Sequence, residues 1–264
     1  MNLSISKGGA SLAIQRVRSK WSKTNILLKS ADLTEHIPET KRWSRSTLQA
    51  MLDQYKMVYV KPDSGTFGTG VIRVEKRTGE GYSFQMGTKK RTFSSFESMA
   101  DRLQRSIRTR SYLIQRGINL LKHASRRFDI RVMVQKNSRD QWESTGIIGR
   151  LGHPAKIVTN YHSGATPMSI ERLMTGKLTS SQMPSYNARL KKLGESIAKQ
   201  LQSHYPGLKE LGIDVAIDGS LKPWILEVNT LPDPFIFRKL KDKSVFRKIH
   251  RYCVQYGRFK KKHS

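Results

Sequence analysis

Asp214, Glu227 and Asn229 are the residues whose types and spacing point most directly to chemistry. Asp214 lies 13 residues before Glu227, and Asn229 lies two after it. Val215-Ala216-Ile217 and Trp224-Ile225-Leu226 flank Asp218-Gly219-Ser220, a turn signal between two strand-like runs. Folding that hairpin brings Asp214 back beside Glu227. A strand alternates its faces, so Glu227 and Asn229 share one side while Leu226 and Val228 are expected in the core. Two carboxylates and an amide oxygen at one strand end are hard ligands suited to Mg²⁺, and such a site commonly serves a phosphate substrate.

A second feature is the segment from Val58 to Val71, with Lys61 on its incoming strand and glycines at 65, 68 and 70. Glycines there let backbone amides approach a ligand closely and adopt positive φ. Successive amides in such a turn form an anion-binding nest, with Ser64 and Gly65 at its start. The spacing is not that of a Walker A loop, since Val71 and Ile72 follow Gly70 where Lys and Ser/Thr would be needed. Nor is it a dinucleotide fingerprint, since a strand follows. A strand, glycine loop and second strand form a flap over phosphates, or else an ordinary hairpin.

The elements that must position these groups are legible in outline. Leu48, Met51, Leu52 and Tyr55 recur at helical spacing, predicting a helix from Ser44 or Ser46 to Tyr55. Strands are expected over 57–60, 71–74, 82–86 and 112–115. A helix from Ser94 or Ser95 to Arg108 carries Phe96, Met99, Leu103 and Ile107. Phe128, Ile130, Val132 and Val134 alternate with Asp129 and Arg131, so Arg131 sits on a polar face, to bind a substrate carboxylate or to pair with Asp129. Strands are also expected over 142–150 and 155–159, loop over 163–185, and a helix over 187–204. Trp142 and Trp224 are expected as packing residues, and His153 and His162 as loop residues. Residues 1–43 read as basic and irregular, and residues 235–264 as a basic, aromatic tail. Short antiparallel strands interleaved with helices give an α+β fold.

Composition sets the outer bounds. The chain has 264 residues, 37% of them hydrophobic, enough for one large domain or two modest lobes. No 18-residue apolar run is present, and residues 1–20 lack the apolar core of a secretory signal. One cysteine, Cys253, excludes an internal disulfide framework and points to a reducing, cytoplasmic setting. The 49 Lys and Arg against 20 Asp and Glu give a formal charge of +29. Such a field gathers anions, whether acidic peptide, polyphosphate, nucleic acid or an anionic surface; a solvated basic surface around a phosphate pocket is the bland reading. No ribonucleoprotein motif, zinc-finger spacing or helix-turn-helix accompanies it, which argues against nucleic acid.

Taken in order, these motifs resemble the ATP-grasp superfamily, and within it the YheC/YheD-like, endospore-coat-associated branch. Lys61-Pro62 with Gly65, Gly68 and Gly70 looks like its phosphate-covering flap. Tyr112 to Ile118 looks like the strand that meets adenine. Phe128 to Val132, Arg150, and Asn160 with Gly164 resemble the branch's central motifs, and Asp214, Glu227 and Asn229 the superfamily's metal ligands. The resemblance runs from about Lys20 to Pro234.

The resemblance implies a fold of two α+β lobes gripping ATP: a lead-in over 1–43, lobes over 44–120 and 121–234, and the tail. It implies ATP and Mg²⁺, and ligation of a carboxylate to an amine through an acylphosphate. Asp214, Glu227 and Asn229 would hold metal; Lys61, Ser64, Gly65, Gly68 and Gly70 would bind phosphates, with a second lysine at Lys20 or Lys23. Gln115, Arg116 and Ile118 would meet the adenine. Arg150 would stabilise the transferring phosphoryl, and Arg131 would bind substrate. The acceptor is expected to be an amino acid or an acidic peptide, with a link to the spore coat. A kinase on a hydroxyl substrate and a coat structural protein without turnover stay open. Many superfamily members carry a further domain ahead of the ATP lobes; here that domain is expected to be missing or supplied by another chain. Gly164-Ala165 stands for the branch's usual glycine pair, and the glycine common after Asn229 is missing.

Overall fold

The computed structural model describes residues 13–77, 79–107 and 110–260. Residues 1–12 of the expected basic segment, Arg108 at the expected helix end, and residues 261–264 of the expected tail lie outside these.

The chain opens with α1 (Lys20–Leu27), α2 (Ala31–Thr34) and β1 (Thr40–Arg42), followed by α3 (Arg45–Tyr55), β2 (Met57–Pro62), β3 (Ile72–Arg77), β4 (Gly81–Met86), β5 (Lys89–Phe93), α4 (Phe96–Ile107) and β6 (Tyr112–Arg116). The Ser44 hydroxyl caps α3 by accepting from Thr47 N at 3.0 Å, which fixes where that helix starts. The six strands form an antiparallel sheet ordered β1-β6-β2-β3-β4-β5. Leu48 and Leu52 of α3 and Met99 and Leu103 of α4 pack on Val58, Val60, Ile72, Val74 and Ile114 to make its core.

A second sheet follows from β7 (Lys122–His123), β8 (Arg126–Lys136), β9 (Trp142–Leu151) and β10 (Thr166–Met168). The chain then runs through α5 (Ile170–Leu173), α6 (Met183–Gln202), β11 (Glu210–Ile217), β12 (Pro223–Asn229), a 3₁₀ turn at Phe235–Lys239 and α7 (Lys243–Gln255). Its strand order is β10-β9-β8-β11-β12, with β7 paired to β8. Phe128, Ile130, Val132 and Val134 pack with Leu190, Ile197 and Leu201 of α6, as their alternation predicts. Met133 on the other face of β8 packs with Phe237, Ile249 and Cys253. Asp129 and Arg131 share that other face.

Four expectations are corrected. The irregular reading of 1–43 gives way to α1 and α2, whose Ile26, Leu27 and Leu33 enter the core under the second sheet. The segment just before them is pinned there too: Gln15 N donates to Gly207 O at 2.9 Å and Arg16 pairs with the buried Glu210 at 2.8 Å. The strand expected over 155–159 is loop. Residues 163–185 hold β10 and α5 as well as loop. The expected tail is largely the 3₁₀ turn and α7, and Arg258 reaches Glu210 at 2.7 Å from the opposite side. Among the described residues no helix is long and apolar enough to cross a membrane.

Candidate nucleotide site

The β11–β12 hairpin pairs Asp214 with Glu227 and Gly212 with Asn229, then slips by one residue between Asp214 and Val215. The slip leaves Leu226 without a cross-strand partner, a β-bulge of the kind that re-aims side chains and frees backbone groups. Val228 and Ile225 enter the core. Leu226 is only half-buried; it packs against the small cluster of Ile118, Ala216 and Trp224 and also lines a cavity. Its carbonyl accepts from Lys61 Nζ at 2.9 Å.

That cavity, of about 260 Å³, has apolar walls from Tyr59, Val71, Ile118, Leu120, Ile157 and Leu226. Its polar residues include Lys61, Gln115, Arg116, Arg150, Asp214 and Glu227. A smaller cavity of about 80 Å³ adjoins it and shares Arg150, Asn160, Asp214 and Glu227. Arg131, Asn229, Phe67, Tyr161, His162 and Leu231 also line the smaller one.

At the seam between them lies a buried ionic quartet set by strand register. Arg131 faces Asp214 across β8–β11, and Asp129 faces Arg150 across β8–β9. Arg131 Nε donates to Asp214 Oδ1 at 2.5 Å. Arg150 donates to both oxygens of Asp129, at 2.8 and 2.5 Å, and its Nη2 lies 3.0 Å from Asp214 Oδ2. Arg131 therefore pairs with Asp214 rather than Asp129. Gly212 leaves room for it: a Cβ there would lie 3.2 Å from Arg131 Nη1 and 2.6 Å from Pro232. Burial works against the charged form of Asp214, but Arg131 and Arg150 outweigh it and hold its carboxyl below the usual range.

Both oxygens of Asp214 are thus engaged by guanidinium groups. Glu227 is looser, its carboxylate 3.5 Å from Lys20. Among the described residues no three His, Cys, Asp or Glu side chains converge as a metal cage. Glu227 and Asn229, hard oxygen donors two residues apart on one cavity wall, still suit Mg²⁺, which keeps waters and takes one or two carboxylates beside substrate phosphates.

The residues expected to meet phosphate group around the flap. Lys20 Nζ donates to Gly65 O at 3.2 Å, whereas Lys23 Nζ donates to Val17 O at 2.8 Å. Gly68 lines the larger cavity and Thr66 and Phe67 the smaller; Ser64, Gly65 and Gly70 shape the flap without lining either. Phe67 packs on His162 with centroids 4.1 Å apart, so His162 meets the flap tip. Gln115 accepts from Lys61 Nζ at 2.8 Å and donates to Thr40 at 3.1 Å. The Arg116 and Gly117 amides donate to Glu39 and Met57 carbonyls. The side chain and amides expected at the adenine are thus engaged within the protein, and Ile118 supplies an apolar wall. Sequence reasoning missed Leu120 and Ile157, which carry no polar or glycine signal that marks a site, and Thr40, which reaches Gln115 across 75 residues.

Burial pushes the Lys61 ammonium down to about 8, with Glu227 pulling it up and Lys20 adding to the fall. An anion beside it favours the charged form and raises that value. Nucleotide binding near pH 8 is therefore expected to take up protons, and affinity to fall as pH rises above 8. Titration calorimetry in two buffers of different ionisation enthalpy measures the uptake, and Lys61→Met should diminish it.

Gly68 has φ +72°, and a Cβ there would lie 2.7 Å from Asn160 Nδ2. Gly68→Ala should displace the flap, costing about 1 kcal/mol of stability or more. Nucleotide affinity should fall by about tenfold, the equivalent of roughly 1.4 kcal/mol. Melting curves with and without ATP check both.

The chain matches the YheC/D-like ATP-grasp family model over residues 11–259. It belongs to that family. It is 26% identical over 226 residues to the endospore coat-associated protein YheD of Bacillus subtilis, covering 83% of this chain and 49% of that protein. It is 24% identical over 217 residues to the endospore coat-associated protein YheC of the same organism, covering 81% and 59%. The chain thus spans about half the length of the curated relatives it matches. Among solved structures, N5-carboxyaminoimidazole synthase of Aspergillus clavatus, in complex with ADP and 5-aminoimidazole ribonucleotide, aligns at a TM-score of 0.53. The identity is 10%, and the alignment covers 92% of this chain and 52% of that one. At that identity the likeness establishes the two-sheet ATP-grasp α+β fold.

Proposed function

We propose that this ATP-grasp protein is a Mg²⁺–ATP-dependent ligase joining a carboxylate to an amine, with an amino acid or an acidic peptide as acceptor and a link to the spore coat. The observation that carries the reading is the pair of adjoining cavities sharing Arg150, Asn160, Asp214 and Glu227. The larger takes ATP, its base between apolar walls and its phosphates toward Lys61, Lys20 and the flap. The smaller takes the acceptor.

A substrate carboxylate oxygen attacks the γ-phosphorus of ATP and ADP leaves, giving an acylphosphate. The amine then attacks the acyl carbon, phosphate departs with the C–O electron pair, and the amine proton passes to solvent. Arg150, held by Asp129 and Asp214, presents a fixed cation at the seam where charge develops. Arg131 stands on the acceptor side. Glu227 and Asn229 would hold Mg²⁺, which neutralises phosphate charge when bound. The rest is positioning, which supplies much of the rate in phosphoryl transfer.

The test feeds the protein ATP, Mg²⁺ and pooled amino acids or short acidic peptides, with hydroxylamine present. A hydroxamate together with ADP supports ligation. ADP alone favours a kinase, and ATP protection in melting with no ADP favours a coat structural protein. The names of the two Bacillus relatives support the coat link.

A further inference from the structure

The 3₁₀ turn and α7 lie on the same face of the second sheet as the quartet. Gln135 shares a β8 face with Asp129 and Arg131 and donates to Ile249 O of α7 at 3.2 Å. Ile236 of the turn lines the smaller cavity. This part of the chain therefore runs on from the acceptor side of the site.

Its surface is cationic and largely uncompensated. Arg238, Lys239, Lys241, Arg247, Arg251 and Lys260 are exposed. Among the described residues none of these six lies within ion-pair distance of a carboxylate, whereas Lys248 and Arg258 pair with Glu143 and Glu210. Arg247 and Arg251 fall at i and i+4, one stripe of α7 away from the buried Ile249 and Cys253, while Lys243, one turn before them, donates to the Arg238 and Leu240 carbonyls at 2.7 and 2.9 Å. The one acid of the segment, Asp242, is occupied as the cap of α7, accepting from Ser244 N at 2.8 Å.

An apolar rim joins this stripe to the cavity. Among the described residues five large hydrophobics are exposed, and three of them, Phe67 at 56%, Tyr161 at 37% and Leu231 at 62%, line the smaller cavity. Phe235 follows on from this lining at Ile236 toward the stripe, its ring 6.0 Å from that of Phe246 in α7.

We propose that this rim and the cationic stripe of α7 form a docking surface for an acidic polypeptide carrying apolar side chains. Charge complementarity selects the acidic backbone partner, and the rim receives its apolar groups. A nucleic acid fits less well. Phe235 already stacks on Phe259 at 5.6 Å, His250 on Phe259 at 5.4 Å, and the Arg238 guanidinium lies 4.7 Å from both Phe235 and Phe246. The rings are thus committed to one another rather than offered to bases. Delivery of the peptide's reacting group to the smaller cavity rests on the ligase reading above; docking does not.

The test measures fluorescence anisotropy of a labelled oligoglutamate and of a Glu–Leu peptide of equal charge, at low salt and without nucleotide. Saturable binding is expected, with the Glu–Leu peptide bound more tightly. Arg247→Glu with Arg251→Glu should weaken both by at least about tenfold, and Leu231→Ser should erase the preference for Leu. Circular dichroism confirms that these surface variants are folded. The proposal is overturned if neither peptide binds, if the charge reversal changes nothing, or if an oligothymidylate of equal charge binds more tightly. ATP protection in melting is measured on the same samples. Its absence would refute the ligase reading while leaving the docking result intact.

Discussion

Asp214→Ala should destabilise the protein by about 3–5 kcal/mol, the usual cost of stripping a buried ion pair of one partner. Arg131 and Arg150 are both buried, and both contact the Asp214 carboxylate. Asp129 would remain for Arg150, but Arg131 would keep its charge with its carboxylate partner gone. In a chain of this size the melting temperature should drop by roughly 10 °C. Asp214→Asn keeps the shape but not the charge, and should fall between wild type and Ala. A metal-ligand role alone predicts something else: unchanged stability without Mg²⁺, and a loss only of its effect on nucleotide binding. Denaturant and thermal melts in a chelating buffer separate the two, and a wild-type melt from Asp214→Ala would sink the anchoring role.

Glu227→Gln should do the reverse. Its carboxylate is partly exposed, and among the described residues its one ion-pair partner is Lys20 at 3.5 Å. Stability should therefore move by no more than about 0.5 kcal/mol. The Mg²⁺-dependent gain in ADP affinity should vanish, and turnover should fall by ~10²-fold or more. Calorimetric titration of ADP with and without Mg²⁺ checks the binding without any need for substrate. A variant that keeps the full magnesium gain would remove Glu227 from the metal site. Together the two variants test whether the paired carboxylates of one hairpin divide the labour, one anchoring arginines and one meeting the proposed cation.

Much of this was legible because it depends on local periodicity. The period of two and the turn at Asp218 bring Asp214 back beside Glu227, though only the slip at Leu226 sets the two directly opposite, and the glycine spacing marks the flap. What escaped depends on distant partners. The Leu226 bulge reflects a misfit between strands that neither strand announces alone. The partner of Arg131 is 83 residues away, on a strand whose neighbour is fixed only when the whole sheet forms. α1 was hidden because its buried side chains include Lys20 and Lys23, which read as phosphate ligands and add nothing to an apolar periodicity. In α7 the fully buried contacts come from Ile249 and Cys253, too few to stand out among the cations. Charged residues that are buried for function, and apolar faces narrowed by charge, break the hydrophobic patterns that reveal helices.

Glu210 holds Arg16 with one oxygen and Arg258 with the other, from positions 242 residues apart. A carboxylate so deeply enclosed cannot turn to water when one guanidinium departs. Loss of either guanidinium leaves that buried charge under-compensated, so each flank is held closed by the same penalty. Amide exchange would then report matching opening free energies around positions 16 and 258, with both flanks loosened together by Glu210→Gln.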